Sequence, residues 1–196
     1  MARPKGFDPD RVLDAAMHAF WSKGYAATSA QDLVDGTGLG RGSLYNAYAS
    51  KHGLFVEALR RYDEEWATRQ VAVLEGEGAV REKVRAVLMT VVDEESAPAG
   101  DRRGCLAVNA AVELAGRDEE VTAVVRRTFR RMEDAFCEAL QRARGRGEIG
   151  ADRDARALAR YLLNSMYGLR VLGRTADRAV MTDIVETVLR SLSSPS

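Results

Sequence analysis

The sequence predicts an all-α protein of about nine helices, short ones at the N-terminus and long ones after it. Apolar residues recur at intervals of three and four along nearly the whole of the 196 residues. Breaks between these runs are rich in glycine, proline or charge, as in "SAPAGDRRG", "GRGEIG" and "GRTAD". Strand-like alternation bounded by hairpin turns is missing throughout, and no repeat is visible.

The first helix opens at "FDPDRVLDAAMHAFWSKG". Asp8 is its N-cap, Pro9 suits the first helical position and Gly24 stops it after Lys23. Val12, Ala16, Ala19 and Phe20 give it one apolar face. In "TSAQDLVDGTG", Thr28 and Gln31 have capping-box spacing, and Gly36 and Gly38 end the segment after barely two turns. "GRGSLYNAY" is a second short helix, after which Ser50 caps a long one through "SKHGLFVEALRRYDEEWATRQVAVLE". Helices so short need neighbours to hold them. The later segments fall at Val80–Glu95, Cys105–Ala115, Glu119–Arg144, Asp152–Leu172 and Arg178–Leu192. This divides the chain into a helix-turn-helix unit at 1–53, with a linking helix from about 50, and a larger helical unit at 54–196.

Composition excludes several classes of function. Charged residues make up 30% of the chain but sum to a net charge of zero, which argues against a wholly electrostatic nucleic-acid binder and leaves room for a local footprint. Cys105 and Cys137 are too few and too far apart for a disulfide framework or a four-ligand zinc site, and only His18 and His52 could help them bind metal, so no metal or cofactor is expected. No nucleophile with a base at motif spacing and no cofactor fingerprint points to an enzyme. No apolar run approaches a membrane span and the N-terminus lacks a signal-like apolar middle, so a cytoplasmic protein with no membrane partner is expected.

The stretch "GLGRGSLYNAYASK" carries the chemistry. Its glycines follow a helix and do not match a phosphate-binding loop, which needs them in fixed order after a strand. As a helix-turn-helix, Gly36 and Gly38 make the turn and Leu39 and Leu44 anchor the inner face. Arg41, Ser43, Tyr45 and Asn46 then lie on the outer side of the second short helix, where N-terminal residues reach base edges. Arginine pairs bidentately with guanine and asparagine with adenine, so Arg41 and Asn46 are candidate readers. Gly42 permits close backbone approach, while Ser43, Tyr45, Tyr48 and Lys51 suit phosphates. Tyr48, one turn past Leu44, also fits a core position. Thr28 offers a hydroxyl at a helix start for a second phosphate. Residues 1–53 hold six Lys/Arg against five Asp, so grip must come from placement, with Arg3 and Lys5 in the leading arm as further contacts.

The string "AAMHAFWSKGYAATSAQDLVDGTGLGRGSLYNAYASKHGLFVEAL" resembles the N-terminal DNA-binding domain of the TetR/AcrR family of bacterial transcriptional regulators, with "TGLGRGSLY" and "SKHGLF" in the family's order and spacing. The resemblance implies a homodimer whose three N-terminal helices bind double-stranded operator DNA, a variable helical domain that binds an effector, and a dimer interface made by the last two helices. It supports Thr28, Ser43, Tyr45, Asn46 and Lys51 as DNA contacts, with Arg41 and Gly42 at positions that vary with operator. Ala49 departs from the lysine or glycine common before "SK", which puts one backbone contact in doubt.

In the second half, Cys105 stands at a helix start after Arg102 and Arg103, a setting that favours thiolate. The Gly-Cys-Leu here resembles a subgroup that includes the N-ethylmaleimide reductase repressor, which senses reactive species through cysteine. A lone cysteine is more often a small buried apolar residue and two arginines are usually a solvated turn, so the core reading stands beside the sensor one. The expected function is a repressor released from its operator by an effector, and the alternative to a reactive species is a small molecule in a cavity lined by Trp66, Met89, Val92, Val108, Phe129, Met132, Phe136, Met166 and Tyr167, with Asn109, Asn164 and Arg170 as its polar members. Leu158, Leu162, Met166 and Leu169, and then Met181, Ile184, Val188 and Leu192, give the last two helices apolar faces for the core and a dimer. A dimer spaces two recognition helices about one DNA turn apart, hence a palindromic operator.

Overall fold

The computed structural model describes residues 7–97 and 103–192, and these form nine helical rods with no strand among them. Helix α1 (Pro9–Lys23) is capped by the Asp8 carboxylate, which accepts from the Asp10 and Arg11 N–H groups, and it ends at Gly24 as expected. Helices α2 (Ala30–Thr37) and α3 (Arg41–Tyr48) follow, each of eight residues. Their stability is tertiary: Leu33 and Leu44, both fully buried, plug into a small core with Phe20 of α1 and Leu54, Phe55 and Leu59 of the next helix. Phe20 and Phe55 meet edge to face at 5.0 Å, a favoured aromatic geometry.

Helix α4 begins at Lys51 under the Ser50 cap, and runs from Lys51–Tyr62 through a π-helical turn (Asp63–Ala67) into Thr68–Glu75. The π turn has an identifiable support. Widening the helix frees backbone carbonyls from their usual partners, and Arg131, far along the chain, donates to Asp63 O at 3.3 Å and to Thr68 Oγ1 at 2.8 Å. Sequence periodicity did not predict this turn, because its support lies in a segment far along the chain.

The second half is a helical bundle: α5 (Val80–Glu95), α6 (Leu106–Leu114), α7 (Glu119–Gly145), α8 (Ala155–Leu172) and α9 (Arg178–Arg190). Helix α7 buries Val121, Val124, Val125, Thr128, Met132, Ala135, Phe136, Ala139, Leu140 and Ala143, one stripe at helical spacing, against α8 and the C-terminal part of α4. Helix α9 packs on α5. No helix of the described residues is long and apolar enough to cross a membrane.

The last two helices divide their faces differently from the expectation. Leu158, Leu162, Met166, Leu169, Met181, Val188 and Leu192 are all spent on the protomer's own core. Tyr161 and Val180 stay exposed and Ile184 half-buried, lining a shallow groove between α8 and α9.

Candidate DNA-reading surface and effector cavity

The turn between α2 and α3 is built from side-chain and backbone chemistry together. Gly38 takes the left-handed conformation (φ 70°, ψ 11°) and its N–H reaches Val34 O. Thr37 Oγ1 donates to Leu33 O at 2.6 Å and accepts from Leu39 N at 3.3 Å, fixing the angle at which α3 leaves. With Leu44 buried, the rest of α3 is turned outward: Arg41, Gly42, Ser43 and Asn46 are exposed, and Tyr45 half so. Arg41 lies 5.9 Å from the Tyr45 ring centre. A Cβ added at Gly40 or Gly42 would meet nothing within 4 Å, so the protein's own packing does not require glycine at either position.

Past α3 the chain reverses at Ala49, which has a positive φ (63°, with ψ −41°) while Ser50 N donates to Tyr48 O at 2.7 Å. That is a γ-turn centred on an alanine, a strained conformation for an L-residue. Gly53 is needed one turn later, where a Cβ would collide with Tyr48 O. Lys51 folds back, with Nζ 4.6 Å from the Tyr25 ring centre and 3.5 Å from Ala26 O.

Two of the expected DNA contacts need correction. Thr28 is fully buried, and its hydroxyl donates to Gly24 O at 2.6 Å, so it closes a loop and does not face a phosphate. Ser29 is the actual cap of α2, because Asp32 lies three residues after it and its carboxylate accepts from both the Ser29 N–H and hydroxyl at 2.7 Å. Hydrogen bonds from Lys23 and then Ser29 hold Asp32 well below the usual carboxylate range, which keeps a negative charge at this helix start. Tyr48 is half-buried against the core, and its hydroxyl donates to Pro9 O at 3.3 Å, fitting the packing reading. Arg3 and Lys5 lie outside the described residues.

The expected effector residues divide into three groups. Trp66 and Arg170 line a cavity of about 320 Å³ between α1, α4, α5 and α8 that also includes Met17, Trp21, Tyr62, Glu94, Glu95 and Arg103. Val108, Phe129, Asn164 and Tyr167 instead line an open groove between α6, α7 and α8. Met132 and Phe136 line neither, being fully buried on the core stripe of α7, and Met89 is packed against the core. Asn109 is engaged locally, its amide donating to Arg103 O at 3.0 Å.

Cys105 does stand at the start of α6, but it is 1% exposed and packed in the core. Burial pushes the Tyr62 phenol well above its usual value, so its hydroxyl stays protonated and donates to Cys105 Sγ at 3.3 Å. Arg103 is turned away from the thiol: its guanidinium sits 4.4 Å over the Trp21 ring and reaches His18 Nδ1. Arg102 lies outside the described residues. The electrophile-sensor reading is therefore not favoured, since a reactive thiolate needs solvent access.

Arg170 was expected at the cavity, whereas Glu95, Trp21 and Glu113 escaped the sequence reading. At the cavity's inner wall Arg170, 2% exposed, bonds Glu95 at 3.0 Å, also pairs with Glu94, and lies 5.0 Å over Trp66. Trp21 Nε1 donates to Gly104 O at 2.9 Å, joining α1 to the segment before α6. At the far end of α6, the Glu113 carboxylate accepts from the Tyr25 N–H at 2.8 Å and the Ala26 N–H at 2.6 Å. Gly24, at φ 82°, leaves room for that carboxylate. Helix α6 is thus tied to the helix-turn-helix unit at both ends. A lone acid in the apolar run "LAVNAAVEL" was the available signal for Glu113.

Comparison with known proteins decides the family. The family model described as bacterial regulatory proteins, tetR family, matches residues 12–58, and that of the tetracyclin repressor-like C-terminal domain matches residues 80–188. The chain belongs to the TetR family. This TetR-family regulator is 36% identical over 98% of its length to all of YezE, an uncharacterized HTH-type transcriptional regulator of Bacillus subtilis (strain 168). It is 31% identical to the HTH-type transcriptional repressor ComR of Escherichia coli (strain K12), over 96% of this chain and 90% of ComR. Among solved structures, a cysteine-substituted CifR complexed with 26-bp double-strand operator DNA matches with a TM-score of 0.86 and 31% identity, covering 97% of this chain and all of that one. The reduced form of E. coli NemR matches at a TM-score of 0.85 but 18% identity, a likeness of fold alone. The TetR-family assignment makes the α2–α3 unit the DNA-binding element of a transcriptional regulator.

Proposed function

We propose that the protein is a cytoplasmic repressor that binds a palindromic operator as a homodimer and is released by a small molecule seated in the cavity beside α1. The DNA-binding half is residues 1–53 and the effector and dimer half is 54–196, with α4 running from one into the other. Arg41 and Asn46 read base edges, Gly42 lets the backbone approach, and Ser43, Tyr45 and Lys51 hold phosphates. The observation that carries this reading is the outer face of α3, where Arg41, Gly42, Ser43 and Asn46 stay exposed around a fully buried Leu44. The repressor role of ComR and the operator complex of CifR support it. The groove lined by Tyr161, Val180 and Ile184 on α8 and α9 is the proposed dimer contact.

Release follows from where the cavity sits. Its wall includes Met17 and Trp21 of α1, and α6 spans from Gly104 at that wall to Glu113 on the α1–α2 loop. A ligand that moves the start of α6 therefore shifts the loop that positions α2 and α3, which biases the spacing of the two recognition helices. An electrophoretic shift with DNA upstream of the protein's own gene tests the core of the proposal. Lys51→Ala should weaken binding to all sequences alike, while Asn46→Ala should relax preference at one base. The reverse pattern, or no shift with any upstream fragment, would sink it.

A further inference from the structure

The charged residues that line the cavity beside α1 are of two kinds, and the difference limits what can fill it. Every lining carboxylate already has a cation: Glu65 is held by Arg61 at 2.5 Å, and Glu94 and Glu95 are both held by Arg170. The other two lining guanidiniums, those of Arg69 and Arg103, pair with no carboxylate among the described residues. Arg69 Nε donates to Glu65 O at 3.0 Å, and Arg103 lies over the Trp21 ring with Nη1 at His18 Nδ1. Neither contact supplies a negative charge. Arg69 is exposed and Arg103 half-buried, so both remain open to a ligand on the solvent side of the cavity, while the Arg170 cluster forms its inner wall. Helix α6 adds the same sign, since it starts two residues after the wall residue Gly104 with no side chain capping it.

A cationic ligand matches this wall poorly. It would find each carboxylate taken, and the faces of Trp21 and Trp66 that attract cations are already covered by Arg103 and Arg170. A neutral ligand leaves the two outer guanidiniums as they were. A carboxylate answers them, because guanidinium forks donate paired, charge-assisted hydrogen bonds to its two oxygens. One negative charge is also the limit, since Arg170 serves two carboxylates at the inner wall and has none of its charge to spare for a third. Below the outer arginines, Met17, Trp21 and Tyr62 offer a thioether and rings, surfaces that favour a flat aromatic body, and the volume of about 320 Å³ is that of a small-molecule pocket. We infer that the cavity binds small aromatic monocarboxylates, with the carboxylate on Arg69 and Arg103 and the ring directed inward. The part such a ligand plays in release rests on the reading that this is the effector site.

The chain has two tryptophans, Trp21 and Trp66, and both line this cavity, so intrinsic fluorescence reports on it directly. The full chain is titrated with hydrocinnamate, hydrocinnamamide, phenylpropylammonium and propanoate, which change the head group on one body and then remove the ring. Hydrocinnamate should bind at least about tenfold more tightly than the other three. Arg69→Gln and Arg103→Gln combined should weaken hydrocinnamate about tenfold and change the amide by no more than about twofold. A general disturbance of the wall would weaken both alike. Circular dichroism verifies that this variant folds, and both tryptophans remain as its reporters. Equal or tighter binding of the amide, the ammonium or propanoate, or no saturable change with hydrocinnamate, overturns the inference. So does a double variant that binds hydrocinnamate as the parent does or loses acid and amide equally. Release of labelled operator, followed by anisotropy, is scored separately. Hydrocinnamate that binds without releasing operator upholds the ligand class and refutes the effector role, whereas release by the amide or the ammonium but not by hydrocinnamate refutes the class and upholds the role.

Discussion

The outer face of α3 and the inner wall of the cavity handle polar side chains in opposite ways. On α3, Arg41, Ser43 and Asn46 project into solvent, and the fold asks almost nothing of them. In the cavity, Arg170 and Glu95 are withdrawn from water and tied to each other, with the Arg170 guanidinium stacked on Trp66. Water satisfies an exposed polar group, which is then free to exchange that water for a base or phosphate. A buried one holds the structure together only as long as its partner stays. Substitutions should therefore damage stability at the cavity and function alone at α3.

The largest effect is expected where that dependence is greatest. Arg170→Met leaves the Glu95 charge buried without its partner and should cost about 3–5 kcal/mol of stability, measured by urea unfolding. Adding Glu95→Met should recover most of the loss, because the pair's worth lies mainly in mutual compensation. A single variant as stable as the parent would show that water reaches this wall, and would break the comparison. Next is Glu113→Ala, which strips the acceptor from the Tyr25 and Ala26 N–H groups and should cost about 1–3 kcal/mol. This residue belongs to neither region but links them. Its loss should also reduce the ability of a bound effector to change operator affinity, as read by anisotropy with and without ligand.

The two regions also differed in how legible they were. Caps and periodicity are local, so α1, α5 and the turn into α3 could be read from neighbouring residues such as Asp8, Gly24 and Gly38. The exposed face of α3 followed from one buried leucine and helical geometry. The cap of α2 was misplaced by one residue because two adjacent hydroxyls compete, and Asp32, which decides for Ser29, also holds Lys23. The cavity was legible only in part. Periodicity marks Met132 and Phe136 as apolar, as it does Val108 and Phe129, but which of them faces a void depends on helices far apart in sequence. The π turn is a sharper case, since Arg131 supports it across 68 residues. Arg170 stood out as a charge among apolar neighbours, whereas Glu95 closes the acidic run Asp93–Glu95 and nothing local marks it for burial.

Smaller effects sharpen the comparison on the DNA side. Ala49 holds a positive φ at the γ-turn between α3 and α4, and glycine reaches that conformation without strain, so Ala49→Gly should raise stability by about 1 kcal/mol. An unchanged or lowered melting temperature would show that the alanine bears no strain there.

The most discriminating change is also the smallest in stability. Gly42 sits inside α3 at a position where a Cβ meets nothing within 4 Å, so Gly42→Ala should stabilise the helix by about 0.5–1 kcal/mol. If the exposed face exists to approach DNA, the same methyl should push the backbone away and weaken operator binding at least about tenfold, a loss of roughly 1.4 kcal/mol in affinity. The two measurements then move in opposite directions in one variant, more stable by thermal melting and weaker by anisotropy titration. A variant that gains stability and keeps its operator affinity would show that the glycine serves neither the fold nor the contact, and that the closest approach to DNA lies elsewhere on α3.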